Sequence, residues 1–322
     1  MSGAKNSSAT ATTGTVEVSR AYRGRFAPTP SGGLHFGSLV AAVASYLDAR
    51  AASGQWLVRI EDLDPPRERP GAADDILSTL DRLGLHWHGP VLRQSARSDA
   101  YAAALERLGR DGQLRGCLCT RAALAALPEN ARRESGDDLY HPPDCLVAPP
   151  ADTFHSALRL KVPDQHTVFT DRAQGAVCTN VARCLGDFVL RRKDGLYAYQ
   201  LAVVVDDEEQ GITDVVRGAD LLQSTPRQIL LQQALGMRGM RYMHVPLAVD
   251  AGGLKLSKSA DAPRLAGAAP AAQLMAALGF LGQAPPAELE GATVAEVLDW
   301  AAAGWRPERF AGVGSKRAPE PA

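Results

Sequence analysis

A short apolar strand, a turn rich in proline and glycine, and a patterned helix follow one another in the stretch RFAPTPSGGLHFGSLVAAVASYLDAR, residues 25–50. From Leu39 onward the apolar residues recur with the period of a helix. Three glycines, Gly32, Gly33 and Gly37, keep the turn before the helix free of side chains. Free backbone N–H groups and the positive end of the helix dipole meet at such a turn, so the stretch predicts a phosphate-binding site.

The next strand-like segment is WLVRIED, residues 56–62, which completes a strand–helix–strand unit. Such units normally place their two strands parallel, with a right-handed crossover. The pattern predicts further helices at residues 73–85, 98–112, 225–236, 274–281 and 294–300. In DFVLRRKDGLYAYQLAVVVDD, residues 187–207, two strand-like runs are predicted on either side of an Asp194-Gly195 turn. The expected class is therefore α/β with a parallel sheet.

The helix predicted at residues 225–236 carries start and stop signals in its sequence. Thr225 is expected as its N-cap, with Pro226 at the first helical position and Gln228 completing a capping box. Gly236 is expected to end the helix.

Charge and composition exclude some classes of protein. The 35 basic side chains nearly balance 36 acidic ones, which excludes a generally basic nucleic-acid-binding coat but leaves room for a local basic groove. No signal peptide and no run long enough to cross a bilayer is visible, so we expect a cytoplasmic protein, without membrane contact, whose cysteines stay reduced. The Ser/Thr/Ala-rich residues 1–20 predict a disordered extension.

A second segment that favours phosphate chemistry is GGLKLSKSADAP, residues 252–263. Its two lysines, Lys255 and Lys258, flank a serine on a Gly/Ser-rich loop that is expected to be mobile. Two ammonium groups on such a loop can close on a polyphosphate and neutralise the charge that develops as pyrophosphate leaves. A solvated basic loop is the alternative interpretation.

Together, the two segments resemble the two signatures of class I aminoacyl-tRNA synthetases. Residues 35–38, His-Phe-Gly-Ser, stand where that class has His-Ile-Gly-His, and residues 255–259 stand where it has Lys-Met-Ser-Lys-Ser. The resemblance implies a Rossmann-like catalytic domain that binds ATP with Mg²⁺ and forms an acyl-adenylate. It implies that the catalytic residues are His35, Lys255 and Lys258, and that ATP is bound by Pro28, Gly33, His35, Gly37, Ser38 and Lys258.

Three stretches, GRFAPTPSGGLHFGS, VRIEDLDPPRE and LAVVVDDEEQGITDVVRGADLLQSTPRQ, look like the glutamyl branch of this class. Its substrate carries an ammonium group and two carboxylates, and arginine is the side chain best suited to carboxylates. The resemblance implies a glutamate site formed by Arg25, Phe26, Ala27, Pro28, Thr29, Glu61, Tyr199 and Arg217. Arg217 is expected to select glutamate over glutamine, and Glu61 to bind the ammonium group. The role of the acidic residues 206–209, which follow a strand-like run, stays open.

Cys117, Cys119, Tyr140 and Cys145 resemble the Cys-x-Cys…Tyr…Cys zinc site of this family. Three thiolates and one further ligand would complete a tetrahedral structural site for one Zn²⁺. Four residues separate Tyr140 from Cys145 where the family has three, so His141 remains an alternative fourth ligand. The other two cysteines, at positions 178 and 184, fit no metal spacing and are predicted to be buried.

Only about 60 residues follow Ser259, too few for the large helical domain with which a glutamyl-tRNA synthetase reads the anticodon. The resemblance is therefore strongest to the short paralogues of that enzyme, the glutamyl-Q tRNA(Asp) synthetase family. It implies ATP-dependent activation of L-glutamate without tRNA, and transfer of the glutamyl group to queuosine at the anticodon wobble position of tRNA(Asp). Two alternatives stay open: a glutamyl-tRNA synthetase charging the 3′ end of tRNA(Glu), and a non-catalytic tRNA-binding paralogue.

The expected organisation follows from these assignments. It comprises a disordered extension 1–20, a first catalytic half 21–114, an inserted zinc-binding, acceptor-type subdomain 115–185, a second catalytic half with the lysine loop 186–265, a short helical C-terminal region 266–313 and a flexible tail 314–322. A basic strip, residues 191–193, is a candidate contact for RNA phosphates, although an exposed β-turn would look the same.

Overall fold

The computed structural model describes residues 21–131, 139–142, 156–256 and 268–319. Three parallel strands form one sheet, in the order β1 (Arg23–Phe26), β2 (Gln55–Ile60) and β3 (Leu92–Arg93). Helix α1 (Phe36–Ala51) connects β1 to β2, so the predicted strand–helix–strand unit is present with its strands parallel.

A second sheet has the order β7 (Gly175–Thr179), β6 (Thr167–Asp171), β10 (Arg241–Val245) and β9 (Asp214–Gly218). Its pairs are parallel except for the β6–β7 hairpin. Strand β9 lies beside β1, where the Thr213 N–H donates to the Arg23 carbonyl at 2.9 Å. The two sheets therefore meet side by side in one α/β core.

Helix α1 occupies the centre of this core because its apolar side chains are buried on all sides. Leu39, Val43 and Leu47 are fully buried, in a cluster shared with the C-terminal helices α9 (Pro270–Phe280) and α10 (Val294–Ala303). The remaining long helices are α2 (Ala72–Arg82), α3 (Ser98–Arg110), α7 (Tyr199–Glu209) and α8 (Thr225–Ala234). Within the ranges given above, no helix combines the length and the apolar character needed to cross a membrane.

A small antiparallel sheet, which we call the insert sheet, packs against α3 and α7. It consists of β4 (Leu114–Cys117), β5 (Ala157–Leu160) and β8 (Phe188–Arg191). The short helices α4 (Arg121–Ala125), α5 (Pro128–Ala131) and α6 (Val181–Cys184) belong to the same part of the chain. The predicted limits of 115–185 differ from this arrangement, because β8 lies beyond them and β6 and β7 inside them join the core sheet.

The second strand-like run is a helix, so that prediction was wrong. Helix α7 contains the continuous apolar residues 201–205, all of them buried. A helix that is apolar all round cannot be told from a buried strand by its period alone, which explains the error. The acidic residues that follow therefore lie on the last turns of α7, where Asp206 and Asp207 are buried.

The predicted capping box of α8 is also absent. Thr225 has helical backbone angles and is the first residue of α8, and Ser224 precedes it as an N-cap without a side-chain capping bond. The Thr225 hydroxyl instead contacts Arg217 and His244, as described below. Gly236 follows the helix with a φ of +58°, the left-handed conformation expected there.

Two further expectations differ from the structure. Cys178, on the outer strand β7, and Cys184, in the short helix α6, are exposed rather than buried. In the tail predicted to be flexible, β12 (Ser315–Arg317) pairs in parallel with β11 (Leu247–Val249). The expected helices at residues 274–281 and 294–300 are present as α9 and α10.

Candidate active site

The carboxyl ends of the parallel strands open into one large cavity, at the edge where α/β sheets generally bind ligands. The cavity reaches from the start of α1 to the insert sheet. It is lined by every described residue that the sequence assigns to the catalytic, ATP and glutamate sites: Arg25, Phe26, Ala27, Pro28, Thr29, Gly33, His35, Gly37, Ser38, Glu61, Tyr199, Arg217 and Lys255. Lys258 lies outside the described residues.

His35 is the N-cap of α1 and folds back over the first turn of the helix. Its Nδ1 accepts from the Ser38 backbone N–H at 3.3 Å, and its Nε2 lies 3.0 Å from the Ser38 hydroxyl. A Cβ at Gly37 would lie 3.2 Å from the imidazole, so the glycine gives the ring room. Burial and then the charge of Lys255 lower the pKa of His35, so the ring is neutral at neutral pH. Nδ1 can then accept from the Ser38 backbone, while Nε2 carries the proton and donates to the Ser38 hydroxyl.

Arg25, expected to bind a substrate carboxylate, already holds a carboxylate of the protein. Its Nε and Nη2 donate to Asp207 at 3.1 and 3.0 Å. Arg59 donates to the same Asp207 at 2.7 Å and to Glu61 at 3.3 Å. Burial raises the pKa of Asp207, but the charges of Arg25 and Arg59 outweigh burial and lower that pKa to about 2. The two arginines and two carboxylates thus form a charge-balanced, buried cluster, and we call it the arginine cluster.

The sequence analysis missed Arg59 and Asp207. A charged residue within the buried strand WLVRIED was an available signal, because arginine is almost never fully buried unless it is paired. Asp207 could not be identified as its partner, since 148 residues separate the two along the chain.

Arg217 lies on β9, 5% exposed, with its guanidinium next to the cavity. Its Nη1 donates to the Tyr199 hydroxyl at 3.3 Å, its Nη2 donates to Thr225 Oγ1 at 2.8 Å, and its Nε donates to a buried ring nitrogen of His244 at 3.1 Å. Burial raises the pKa of Tyr199, so its hydroxyl keeps its proton and can donate it. Arg217 and Tyr199 therefore form a donor pair suited to an anion.

Lys255, the first lysine of the lysine loop, forms an ion pair with Asp220 at 2.5 Å. Asp220 lies two residues beyond the end of β9 and three residues after Arg217. This contact ties the start of the loop to the strand that carries Arg217.

Cys117, Cys119 and His141 converge at the far end of the insert sheet. Their ligand atoms all lie within 4.8 Å of one another, and Cys117 Sγ is 3.2 Å from His141 Nε2. Burial raises the pKa of Cys117, but its hydrogen bond with His141 and the charge of Arg159 outweigh burial and lower that pKa to about 6. We call these three residues the Cys/His cluster. Cys145 lies outside the described residues.

The model of the family "tRNA synthetases class I (E and Q), catalytic domain" matches residues 21–265, most of the chain. The chain belongs to this family. The expectation of a class I synthetase catalytic domain with α/β structure and a parallel sheet is confirmed.

Individual relatives show which members of the family this class I synthetase is similar to. A glutamyl-Q tRNA(Asp) synthetase of Pseudomonas aeruginosa is 54% identical over 293 residues, which cover 91% of this chain and 96% of the relative. The protein of the same name from Dechloromonas aromatica is 55% identical over 284 residues, covering 88% and 94%. The predicted resemblance to the glutamyl-Q tRNA(Asp) synthetases is confirmed.

Solved structures agree with this placement of the synthetase. A glutamate tRNA ligase from Elizabethkingia meningosepticum, crystallised with its amino acid, superposes with a TM-score of 0.75 at 25% identity. The match covers 93% of this chain and 67% of the ligase. The similarity thus spans almost the whole of the shorter chain.

Proposed function

We propose that this synthetase activates L-glutamate with ATP and transfers the glutamyl group to queuosine at the anticodon wobble position of tRNA(Asp). The relatives named for this reaction support it, as does their near-complete overlap with the chain. The observation that carries the proposal is that Arg217 and Tyr199 line the same cavity as the start of α1, which His35 caps.

ATP is proposed to bind at the glycine-lined start of α1, with Mg²⁺ accompanying the nucleotide as part of the substrate. The α-carboxylate of glutamate attacks the α-phosphorus, the bond to the bridging oxygen breaks, and pyrophosphate leaves. The protein contributes position and charge, because phosphoryl transfer needs little covalent chemistry from its side chains. Neutral His35 acts as a hydrogen-bonding group, while Lys255 and Lys258 offset the charge on the leaving pyrophosphate.

The side-chain carboxylate of glutamate is proposed to bind between Arg217 and Tyr199. Arg217 Nη1 has a second N–H beside the one donated to Tyr199, and the Tyr199 hydroxyl can donate its own proton. Arg217 and Tyr199 would thus each give the carboxylate one hydrogen bond. Arg25 already donates to Asp207 through Nε and one N–H of Nη2, so it would reach the substrate through its remaining N–H groups on Nη1 and Nη2. Glu61, which lines the same cavity, is the proposed partner of the ammonium group.

Transfer follows in the same cavity. A nucleophilic group of queuosine attacks the carbonyl carbon of the glutamyl-adenylate, and AMP leaves with the bonding electrons. The cavity is also lined by Arg192 and Lys193, of the basic strip predicted to contact RNA. Arg192 also pairs with Asp194 at 2.6 Å, so Lys193 is the better candidate for a phosphate contact.

We propose one structural Zn²⁺ at the Cys/His cluster, with Cys145 as a further ligand. Two sulfurs and one imidazole nitrogen drawn together in a buried corner match the donors that zinc prefers. His141 replaces Tyr140 in this proposal, because its Nε2 belongs to the cluster, and three residues separate it from Cys145, as in the family pattern. Zinc bound there would hold the insert sheet together and take no part in the chemistry.

Two assays test the proposal in sequence. Pyrophosphate exchange with ATP should depend on L-glutamate, and it should proceed without tRNA. Labelled glutamate should then be transferred to tRNA(Asp) that contains queuosine, and not to the same tRNA with guanosine at the wobble position.

The alternatives predict different results in the same assays. Transfer of glutamate to tRNA(Glu) that is abolished when periodate oxidises the 3′ end of the tRNA would identify an ordinary glutamyl-tRNA synthetase. Binding of tRNA without any glutamate-dependent exchange would identify a non-catalytic paralogue.

A further inference from the structure

Behind Arg217, away from the cavity, two buried side chains continue the hydrogen-bond network into the core sheet. His244 on β10 is fully buried, and its Nδ1 lies 2.6 Å from Asp171 Oδ2 on β6. Its Nε2 lies 3.1 Å from Arg217 Nε, and 3.2 Å from the Thr225 hydroxyl. A continuous chain of contacts therefore runs from Asp171 through His244 to Arg217.

The partners on the two sides of His244 determine where its proton sits. Arg217 Nε can only donate, so His244 Nε2 must accept and carry no proton. Asp171 as a carboxylate can only accept, so His244 Nδ1 must be the protonated nitrogen. Burial lowers the pKa of His244, which keeps the ring neutral in this one tautomer.

We propose that Asp171 and His244 form a positioning relay that fixes the Arg217 guanidinium for the side-chain carboxylate of glutamate. The inference rests on the proposed function, because that function assigns Arg217, the arginine that the relay orients, to the substrate carboxylate. Neither residue lines the cavity, so both act through Arg217.

The geometry of the guanidinium explains why such a relay is useful. Nε is held by His244 and Nη2 by Thr225, which together fix the plane of the guanidinium. Nη1 is then left at the cavity side with Tyr199. An arginine without these contacts could rotate its planar group away from a bound carboxylate, and a small displacement of a positioning group lowers the rate markedly.

The substitution Asp171→Asn tests the relay with almost no change of shape. Asp171 Oδ1 accepts the backbone N–H groups of Ala173, Gln174 and His244, at 3.0, 2.9 and 3.1 Å, and an asparagine oxygen can keep these three bonds. The asparagine NH₂ is then forced toward His244 Nδ1. That nitrogen must become the acceptor, and the proton moves to Nε2, where it opposes the Arg217 N–H.

The expected result is a rise in the KM for glutamate of about 10- to 100-fold, the range found when a hydrogen-bond partner that orients a metal ligand is removed. The KM for ATP should change by less than about twofold, because the ATP end of the cavity does not contact the relay. Asp214→Asn is the matched control, a buried aspartate on β9 that pairs with Arg241 instead. It should alter thermal stability and leave the KM for glutamate unchanged.

An unchanged KM for glutamate in folded Asp171→Asn protein would overturn the relay, as would equal rises in the KM values for glutamate and ATP. If the unmodified enzyme shows no glutamate-dependent exchange, it is the proposed function that fails, so the two failures are distinguishable. A His244→Gln background provides a second check. Asp171→Asn should have little further effect on the KM for glutamate there, because the relay acts through the imidazole.

Imidazole nitrogen chemical shifts supply a readout that does not depend on activity. His244 should carry its proton on Nδ1 in the unmodified protein and on Nε2 in the Asp171→Asn variant. A proton found on Nε2 in the unmodified protein would also overturn the relay.

Discussion

The arginine cluster and the Cys/His cluster are both buried and polar, but their polar groups are satisfied in different ways. In the arginine cluster, Asp207 lies between Arg25 and Arg59, so each charge meets one of opposite sign within the protein. In the Cys/His cluster, Cys117, Cys119 and His141 direct electron-pair donors toward one point. The first arrangement balances its charges without a ligand, whereas the second would gain stability from the proposed Zn²⁺. The core should therefore keep its shape when the metal is removed, and the insert sheet should not.

The largest expected effect comes from opening the arginine cluster. Asp207→Asn leaves two buried guanidinium groups short of one carboxylate, and we expect unfolding free energy to fall by roughly 3–5 kcal/mol. Denaturant unfolding measures this loss. Asp206→Asn is the matched control, because Asp206 is equally buried on the same helix but accepts from Gln94, Tyr101 and the partly exposed Arg97. A larger loss for Asp206→Asn would contradict the role given to the arginine cluster.

The next effect is on catalysis rather than on folding. Arg217→Gln removes the cation beside Tyr199, and loss of one partner of a desolvated charge pair costs roughly 2–5 kcal/mol, about 30- to several-thousand-fold in kcat/KM for glutamate. ATP binding should persist, and any remaining preference should shift toward glutamine. Pyrophosphate exchange with each amino acid measures both. Arg241→Gln is the control, an exposed arginine on the neighbouring strand. Wild-type efficiency in Arg217→Gln would remove Arg217 from the specificity site.

The sequence could predict the residues that line the cavity but not the buried residues that hold them in place. The turn before α1 and the segment around Arg217 carry local motifs, so their residues could be named from the sequence and lie in one cavity. The partners of Arg25 and Arg217 could not, because Asp207 and His244 reach them across 182 and 27 residues through the sheet. Helix α7 was misassigned because burial on all sides removes the periodic signal.

The Cys/His cluster, too, could be predicted only in part from the sequence. Its cysteine pair could be named from the resemblance to the family's zinc site, but the same resemblance favoured Tyr140 as the further ligand and left His141 as the alternative. Only the folded chain places His141 Nε2 next to Cys117, since the His141 backbone N–H donates to the Leu185 carbonyl at 2.7 Å across the insert.

Removal of the metal should separate the two regions directly. Treatment with a strong chelator should increase amide hydrogen exchange in β4 and β5 by about tenfold or more, while exchange in α1 and β1 stays unchanged. Elemental analysis should give about one zinc per chain beforehand, three or four Cys/His ligands being the usual set. Equal changes in both regions, or no zinc in protein purified without chelator, would contradict the proposed division.

A pair of glycines tests the same division without a chelator. Gly186 has a φ of +75°, and a Cβ there would lie only 1.6 Å from the His141 carbonyl oxygen. Gly175 has a similar φ of +79° with nothing within 4 Å of a Cβ. Both alanine variants carry the left-handed strain of about 1–2 kcal/mol. Only Gly186→Ala should also displace His141 and lower the zinc content.

The smallest expected effect concerns the lysine loop, which belongs to neither cluster. Lys255 is tied to the core by one partly exposed ion pair with Asp220, and such pairs contribute only about 0–1 kcal/mol to stability. Asp220→Asn should therefore leave the unfolding free energy almost unchanged, while freeing Lys255 near His35. The ion pair competes with phosphate for the lysine, so its loss should change the KM for ATP. A pair of this strength can change that KM by no more than about fivefold, because 1.4 kcal/mol corresponds to tenfold. Raised salt should reduce the difference between variant and wild type, because the pair is exposed to solvent. A fall of several kcal/mol in unfolding free energy would instead show that Asp220 belongs to the buried core network, and the contrast between closed core and loosely tied loop would no longer hold.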